Sequence, residues 1–238
     1  MTDIDLSATK IFADGADRDG ILALRENPLI RGFTTNPTLM RSAGIDDYES
    51  FALDLVQLVP DLPISFEVFS DDFDEMERQA TKIASWGDQV FVKIPITNTR
   101  GESSAELQRR LAGNGVKLNV TALMTVAQVE VAAAALADGP AAFVSVFAGR
   151  IADTGRDPMP IMTDALERLA PHPAIELIWA SPRELLNIVQ AASIGCHVIT
   201  VTHDVLKKLP TVGKDLDQFS LETVQMFHSD AEQAGYSL

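Results

Sequence analysis

The sequence predicts an α/β protein of the (β/α)8 TIM-barrel class with one additional C-terminal helix. Three observations carry that prediction. Short apolar runs alternate with longer amphipathic segments along the whole chain, the pattern of a parallel sheet covered by helices. Eight such strand–helix units follow one another with no linker rich in Gly, Pro or Ser between them. The length of 238 residues also suits a single barrel, which typically takes roughly 250 residues. An open doubly wound sheet is the competing arrangement, but its first turn usually reads GxGxxG, whereas the first turn here is Asp14-Gly15-Ala16-Asp17-Arg18-Asp19-Gly20. One domain is expected over residues 1–238.

The strands are expected at 11–14, 32–35, 64–69, 90–96, 117–123, 142–147, 176–180 and 198–202. Most are apolar on both faces, as parallel strands buried beneath helices should be. Between them, residues 71–86 read as a helix that opens with acids, which favour a helix N-terminus, and stops at Gly87. Residues 125–137 have Thr125 as N-cap and end at Asp138-Gly139-Pro140. Residues 182–194 begin with Ser181-Pro182, a cap followed by proline in the first turn, and end at Gly195. Residues 219–234 form the extra helix, either a lid on the barrel wall or an arm that packs on a neighbouring subunit.

Composition narrows the function. A hydrophobic fraction of 46% with 22% charged residues supports a real core and excludes disorder as the main state. With 34 acidic against 19 basic side chains the net charge is −15. That is the wrong sign for nucleic acid, whose phosphates need a basic footprint, and for a surface that binds anionic lipid. One cysteine, Cys196, excludes an intramolecular disulfide framework, and the four histidines show neither HExxH nor a paired spacing. No metal and no cofactor are expected. The N-terminal residues are polar and acidic, unlike a signal peptide. No run approaches the roughly 20 apolar residues that cross a bilayer, so a cytoplasmic protein is expected.

Lys93 is the most unusual residue, because it sits within the apolar run Val90-Phe91-Val92-Lys93-Ile94-Pro95-Ile96. Lysine is almost never fully buried unless paired. An apolar surrounding disfavours an ammonium ion, and a neutral amine is the nucleophile for a Schiff base with a carbonyl. The plain alternative is a lysine that snorkels from a strand end or pairs with an acid. Other polar residues stand at corresponding places: Asp14 on the first strand, Thr34, Thr35 and Asn36 on the second, Glu67 on the third. Asn119 and Thr121 interrupt the fifth, Ser145 and Arg150 flank Phe147 on the sixth, and Ser181 and Arg183 end the seventh. Each alone has a turn, pairing or filler explanation. Together they are what a barrel needs at the carboxyl ends of its strands, where they would converge on Lys93. Arg150, Arg183 and the expected helix N-terminus at Ser181 would make an anion cradle. Arg156 reads as an ordinary loop residue.

Five blocks carry a resemblance. They are Gly32-Phe33-Thr34-Thr35-Asn36-Pro37-Thr38, Phe91-Val92-Lys93-Ile94-Pro95-Ile96-Thr97, Asn119-Val120-Thr121-Ala122-Leu123, Ser145-Val146-Phe147-Ala148-Gly149-Arg150-Ile151 and Ala180-Ser181-Pro182-Arg183. In this order, across nearly the whole chain, they resemble the short subfamily of the transaldolase family, which includes the fructose-6-phosphate aldolases. The resemblance implies a metal-free class I barrel enzyme with Lys93 as the imine-forming lysine. It also implies Asp14 as the acid/base at the C4 hydroxyl, and Asn36 and Asn119 holding hydroxyls of the dihydroxyacetone unit. Glu67 and Thr121 would position a proton-shuttling water, and Arg150, Ser181 and Arg183 would bind the sugar phosphate. Glu67, Asn119 and Phe147 look like the transaldolase branch, whereas the aldolase branch typically carries Gln and Tyr at the positions of Glu67 and Phe147. Pro182 departs from the family pattern, which often has an aromatic residue there.

The expected activity is therefore transfer of a dihydroxyacetone unit between sugar phosphates, in a homo-oligomer of a kind such short proteins form through the C-terminal helix. Cleavage that releases free dihydroxyacetone, transfer within a different sugar-phosphate pair, and a non-catalytic sugar-phosphate-binding barrel are the alternatives.

Overall fold

A computed structural model describes residues 5–236. Eight parallel strands close into a barrel in sequence order, each hydrogen-bonded to the next and the eighth to the first. They are β1 (Lys10–Asp14), β2 (Ile30–Thr34), β3 (Ile64–Glu67), β4 (Val90–Pro95), β5 (Leu118–Leu123), β6 (Ala142–Val146), β7 (Ile175–Trp179) and β8 (Val198–Thr202). The helices are α1 (Arg18–Arg25), α2 (Pro37–Ser42), α3 (Tyr48–Leu58), α4 (Phe73–Ala84), α5 (Ala105–Gly113) and α6 (Val126–Leu136). They continue with α7 (Ala148–Ala152), α8 (Met159–Leu169), α9 (Leu186–Ser193), α10 (His203–Leu206) and α11 (Leu216–Ala234). The expected TIM-barrel class is what the chain adopts.

Each strand presents alternate residues to opposite faces. Residues such as Ile11, Ala13, Ile64, Phe66, Val92, Val120 and Val144 face outward into one continuous core beneath the helices. The inward set begins with Phe12, Phe91, Phe143, Ile178 and Val198, a separate apolar cluster. Phe143 meets Phe12 edge-on with ring centroids 5.4 Å apart and Phe91 at 4.3 Å. Gly32 makes room for this plug, since a Cβ there would lie 2.6 Å from the Phe12 ring. The barrel is thus closed by aromatic packing below, and two residues further along most strands its interior becomes polar.

Several element boundaries differ from expectation for identifiable reasons. The third strand stops at Glu67, not at 69, and Phe69 is exposed. The helix expected over 71–86 spans Phe73–Ala84, because the side chain of Asp72 accepts from the Asp74 and Glu75 amides and caps it. Thr125 caps α6 as expected, with Gln128 returning the hydrogen bond in a capping box. The helix expected from Pro182 begins only at Leu186, because Ser181 has a left-handed backbone (φ 56°) that turns the chain away first. The tail helix starts before Phe219, at Leu216, where Asp215 caps it, and none of its residues is buried.

Candidate active site

Above the aromatic plug, at the carboxyl ends of the strands, lies a cavity of about 210 Å³. It is lined by Asp14, Asn36, Glu67, Lys93, Asn119, Thr121, Ser145, Phe147, Arg150 and Ser181, together with Thr34, Ala180 and Thr200. Eleven of the thirteen residues singled out in the sequence, Thr34 among them, therefore meet in one place. They come from seven consecutive segments of the barrel, so only closure of the sheet brings them together.

Lys93 is 9% exposed. Its strand neighbours Val92 and Ile94 are fully buried on the outward face, but its head is not in the apolar surrounding that the sequence suggested. Nζ donates to the backbone carbonyl of Thr35 at 2.9 Å and lies 3.4 Å from Oε2 of Glu67. Register explains the second contact, because Glu67 and Lys93 are direct partners in the β3–β4 ladder. Cross-strand partners on one face stand close enough to interact.

Asp14 ends β1 opposite Thr34, and the Thr34 hydroxyl donates to its Oδ1 at 2.7 Å. Thr34 in turn shares a 2.5 Å hydrogen bond with the hydroxyl of Thr200. Burial lifts the Asp14 carboxyl above the usual carboxylate range, against the opposing pull of the Lys93 cation and the Thr34 hydroxyl. Across the mouth, Ser145 donates to Oδ1 of Asn119 at 2.7 Å, and Nδ2 of Asn119 donates to Ser65 at 3.1 Å. Asn36 caps α2 by accepting from the Leu39 amide at 3.0 Å. Next to Thr121, Ala122 has φ 64°, and the β5–β6 register shifts between Val120 and Leu123. Such a bulge re-aims a side chain at the rim of a barrel.

At the outer end of the cavity Arg150 stands with its guanidinium carbon 6.0 Å from the centre of the Phe147 ring. Among the described residues no carboxylate lies within ion-pair distance of it. Ser181 reaches the same end in its left-handed conformation, and its carbonyl packs against Gly149 so tightly that a Cβ there would be 1.5 Å away.

Two expected positions fall elsewhere. Arg183 does not line the cavity; its guanidinium is engaged in a two-armed pair with Asp153, in which Nε donates to Oδ1 at 3.1 Å and Nη2 to Oδ2. Thr35 contributes its backbone carbonyl, while its buried hydroxyl donates to Ser65 O at 3.3 Å, away from the cavity. With α9 starting at Leu186, Ser181 is also not a helix N-terminus. The sequence reading did not single out Thr200, Ser65 or Tyr48. Inward alternation along β3 and β8 marks the first two; nothing local marks Tyr48.

A larger depression of about 550 Å³ lies at the opposite end of the barrel, around Lys10, Lys117, Phe91 and Glu176. Its cations are already engaged, Lys10 with Glu176 and Lys117 with the Asp88 carbonyl, both at 2.6 Å. Among the described residues no group of three or more His, Cys, Asp or Glu side chains is placed to hold a metal ion.

Similarity to known proteins agrees with this geometry. Residues 11–238 match the family described as Transaldolase/Fructose-6-phosphate aldolase. A protein of Dehalococcoides mccartyi named "Probable transaldolase" is 35% identical over 201 residues, covering 84% of this chain and 89% of that protein. One of the same name from Methanococcus maripaludis is 31% identical over 214 residues, covering 88% and 95%. Among solved structures, the one described as "Native KDPGal structure" superposes with a TM-score of 0.52 at 13% identity over 95% of this chain and 96% of that one, a likeness of fold.

Proposed function

The chain belongs to the transaldolase/fructose-6-phosphate aldolase family, and from that premise we propose that it transfers a dihydroxyacetone unit from a ketose phosphate to an aldose phosphate through a Schiff base on Lys93. The Lys93 amine adds to the C2 ketone of the donor, and loss of one water gives the protonated imine. A water held by Glu67 and Thr121 carries protons to and from the departing oxygen. Asp14 takes the proton of the C4 hydroxyl, the C3–C4 bond breaks, and its electron pair moves into the iminium to leave an enamine. The aldose phosphate departs. The enamine carbon then attacks the aldehyde of a second aldose phosphate, Asp14 returns the proton to the new hydroxyl, and water releases the new ketose phosphate and the free lysine. The iminium is the electron sink, so the chemistry calls for no cofactor.

What supports this reading most is one juxtaposition: an amine 3.4 Å from Glu67, in the same small cavity as Asp14, whose buried carboxyl holds its proton more tightly than usual. A general acid/base works best when its affinity for the proton approaches the operating pH. Asn36, Asn119 and Ser145 are assigned to the substrate hydroxyls, and Arg150 with Ser181 to the phosphate. Phe147 favours transfer over release, since it lines the cavity without a hydroxyl that could protonate the enamine. The working form is a cytoplasmic homo-oligomer. The support for that assembly is α11, where Phe219, Leu221, Val224, Met226 and Phe227 are all exposed.

The test compares fructose 6-phosphate turnover with and without erythrose 4-phosphate. The expected result is turnover that depends on the acceptor, with little free dihydroxyacetone. Cleavage at full rate without acceptor overturns the transferase reading in favour of an aldolase.

A further inference from the structure

The β2–β3 ladder lacks a rung. Its bonds run from the Phe33 amide to Pro63 O at 2.8 Å and from the Thr35 amide to Ser65 O at 3.3 Å. Parallel pairing continues by alternation, so the next bond should join the Glu67 amide to the Thr35 carbonyl. That bond is replaced. The Thr35 carbonyl accepts from Nζ of Lys93 at 2.9 Å. The Glu67 amide donates instead to the hydroxyl of Tyr48 at 2.9 Å, and the same hydroxyl lies 3.2 Å from the Glu67 carbonyl, to which it donates. The other face of the strand is already paired, with the Val68 amide donating to Lys93 O at 3.2 Å.

The reason lies in the chain path. Asn36 caps α2, so the backbone leaves the sheet after Thr35 and cannot follow β3 any further. Backbone groups this close to the interior are costly to leave without partners. Tyr48, the first residue of α3, reaches across with one atom that both accepts and donates. Its ring is held by Phe69, edge-on at 4.5 Å between centroids, and by Phe66 and Trp86 at 6.3 and 6.0 Å. Burial pushes the Tyr48 hydroxyl well above the usual phenol range, so it keeps the proton it donates.

We propose that Tyr48 is a positioning residue for the amine chemistry: its hydroxyl stands in for the missing β2–β3 rung, which holds Glu67 opposite Lys93 and leaves the Thr35 carbonyl free to orient the lysine. The inference rests on the roles given above to Lys93 and Glu67. Without the hydroxyl, the Glu67 amide is left without an acceptor, since the Thr35 carbonyl is taken by Lys93, and this end of β3 loosens. Both the carboxylate and the amine then leave their places.

Tyr48→Phe tests this, because it removes one oxygen and keeps the ring. Leu58→Ala, on the same helix and packed against the core, is the control for a loss of stability alone. Borohydride trapping of Lys93 with fructose 6-phosphate measures the rate of imine formation. Displaced positioning partners cost about 10–100-fold. Tyr48→Phe should therefore trap and turn over that much more slowly, with KM within about threefold, while Leu58→Ala traps at the wild-type rate despite a lower Tm. Hydrogen exchange should also quicken at the Glu67 amide in Tyr48→Phe and not at the Thr35 amide. Trapping by Tyr48→Phe at the wild-type rate, or equal slowing in both variants, overturns the proposal. So does unchanged exchange at Glu67, whatever the activity. If the wild-type protein itself fails to trap, the assignment of Lys93 has failed, and the exchange result still decides whether the hydroxyl holds the strand.

Discussion

At the scale of single residues, Asp14 shows a group kept in place at the expense of stability. Burial raises its folded-state carboxyl above the unfolded value, so the folded protein holds this proton over an interval where the unfolded chain has released it. Stability from this group is then greatest below the unfolded value of about 4 and falls as pH rises through that interval. Asp14→Asn, which keeps an acceptor for the Thr34 hydroxyl, should raise Tm at pH 7, with the gain vanishing below about pH 4. The same variant should lose about 10²–10⁴-fold in turnover while still forming the trapped imine on Lys93. The two arginines should separate as well. Arg150→Ala removes a cation from the cavity and should raise KM for the phosphorylated donor about 10–100-fold, since bonds to charged groups contribute about 1.5–3 kcal/mol. Arg183→Ala breaks an exposed pair with Asp153, where such pairs contribute about 0.2–1 kcal/mol, and should change KM less than about fivefold. Lys93, Asp14 and Glu67 were legible in the sequence because a charge inside an apolar strand has few structural excuses. Arg183 and Thr35 were misplaced because the left-handed turn at Ser181 and the departure of the chain at Asn36 are tertiary events.

At the scale of elements, the mouth of the barrel depends on backbone that ordinary strand geometry does not supply. Ala122 and Ser181 both carry positive φ without being glycine, a conformation that persists only when its surroundings impose it. Gly149 sits where the start of α7 meets the turn after β7, with its position set by the Ser181 carbonyl. Gly149→Ala forces one of those backbones to move, with an expected loss of about 2–4 kcal/mol. At 2–4 °C per kcal/mol, Tm should fall by roughly 5–15 °C, and affinity for the phosphorylated donor should fall with it because Phe147, Arg150 and Ser181 share that corner. A Tm within 2 °C of wild type, in the sense of about 1 kcal/mol or less, would contradict the close approach. The strands were legible from their apolar runs to within a few residues. Their ends were not, because Glu67 and Thr34 stop where a neighbouring strand stops pairing, and no local propensity encodes that. The helix that begins at Leu186 shows the same limit, since Ser181-Pro182 has every local sign of a start.

At the scale of the whole molecule, a net charge of −15 surrounds a cavity assigned to anionic sugar phosphates. The general field opposes such ligands, so binding must come from the local cation Arg150 and should not improve as salt is removed. The aromatic plug of Phe12, Phe91 and Phe143 closes the barrel below that cavity, so access is from the carboxyl ends of the strands alone. Closure itself was legible from eight repeating units, but the fate of α11 was not, because one chain cannot say what covers an exposed apolar helix. Leu221→Asp combined with Val224→Asp should reduce the mass found by light scattering from an oligomer to a smaller species without lowering imine formation. An unchanged mass would remove α11 from the assembly.

The most direct test of the whole account is peptide mapping by mass spectrometry after borohydride reduction in the presence of fructose 6-phosphate. The expected result is a single reduced adduct on the peptide that contains Lys93, absent from Lys93→Met. An adduct on any other lysine, or trapping that survives Lys93→Met, would contradict it.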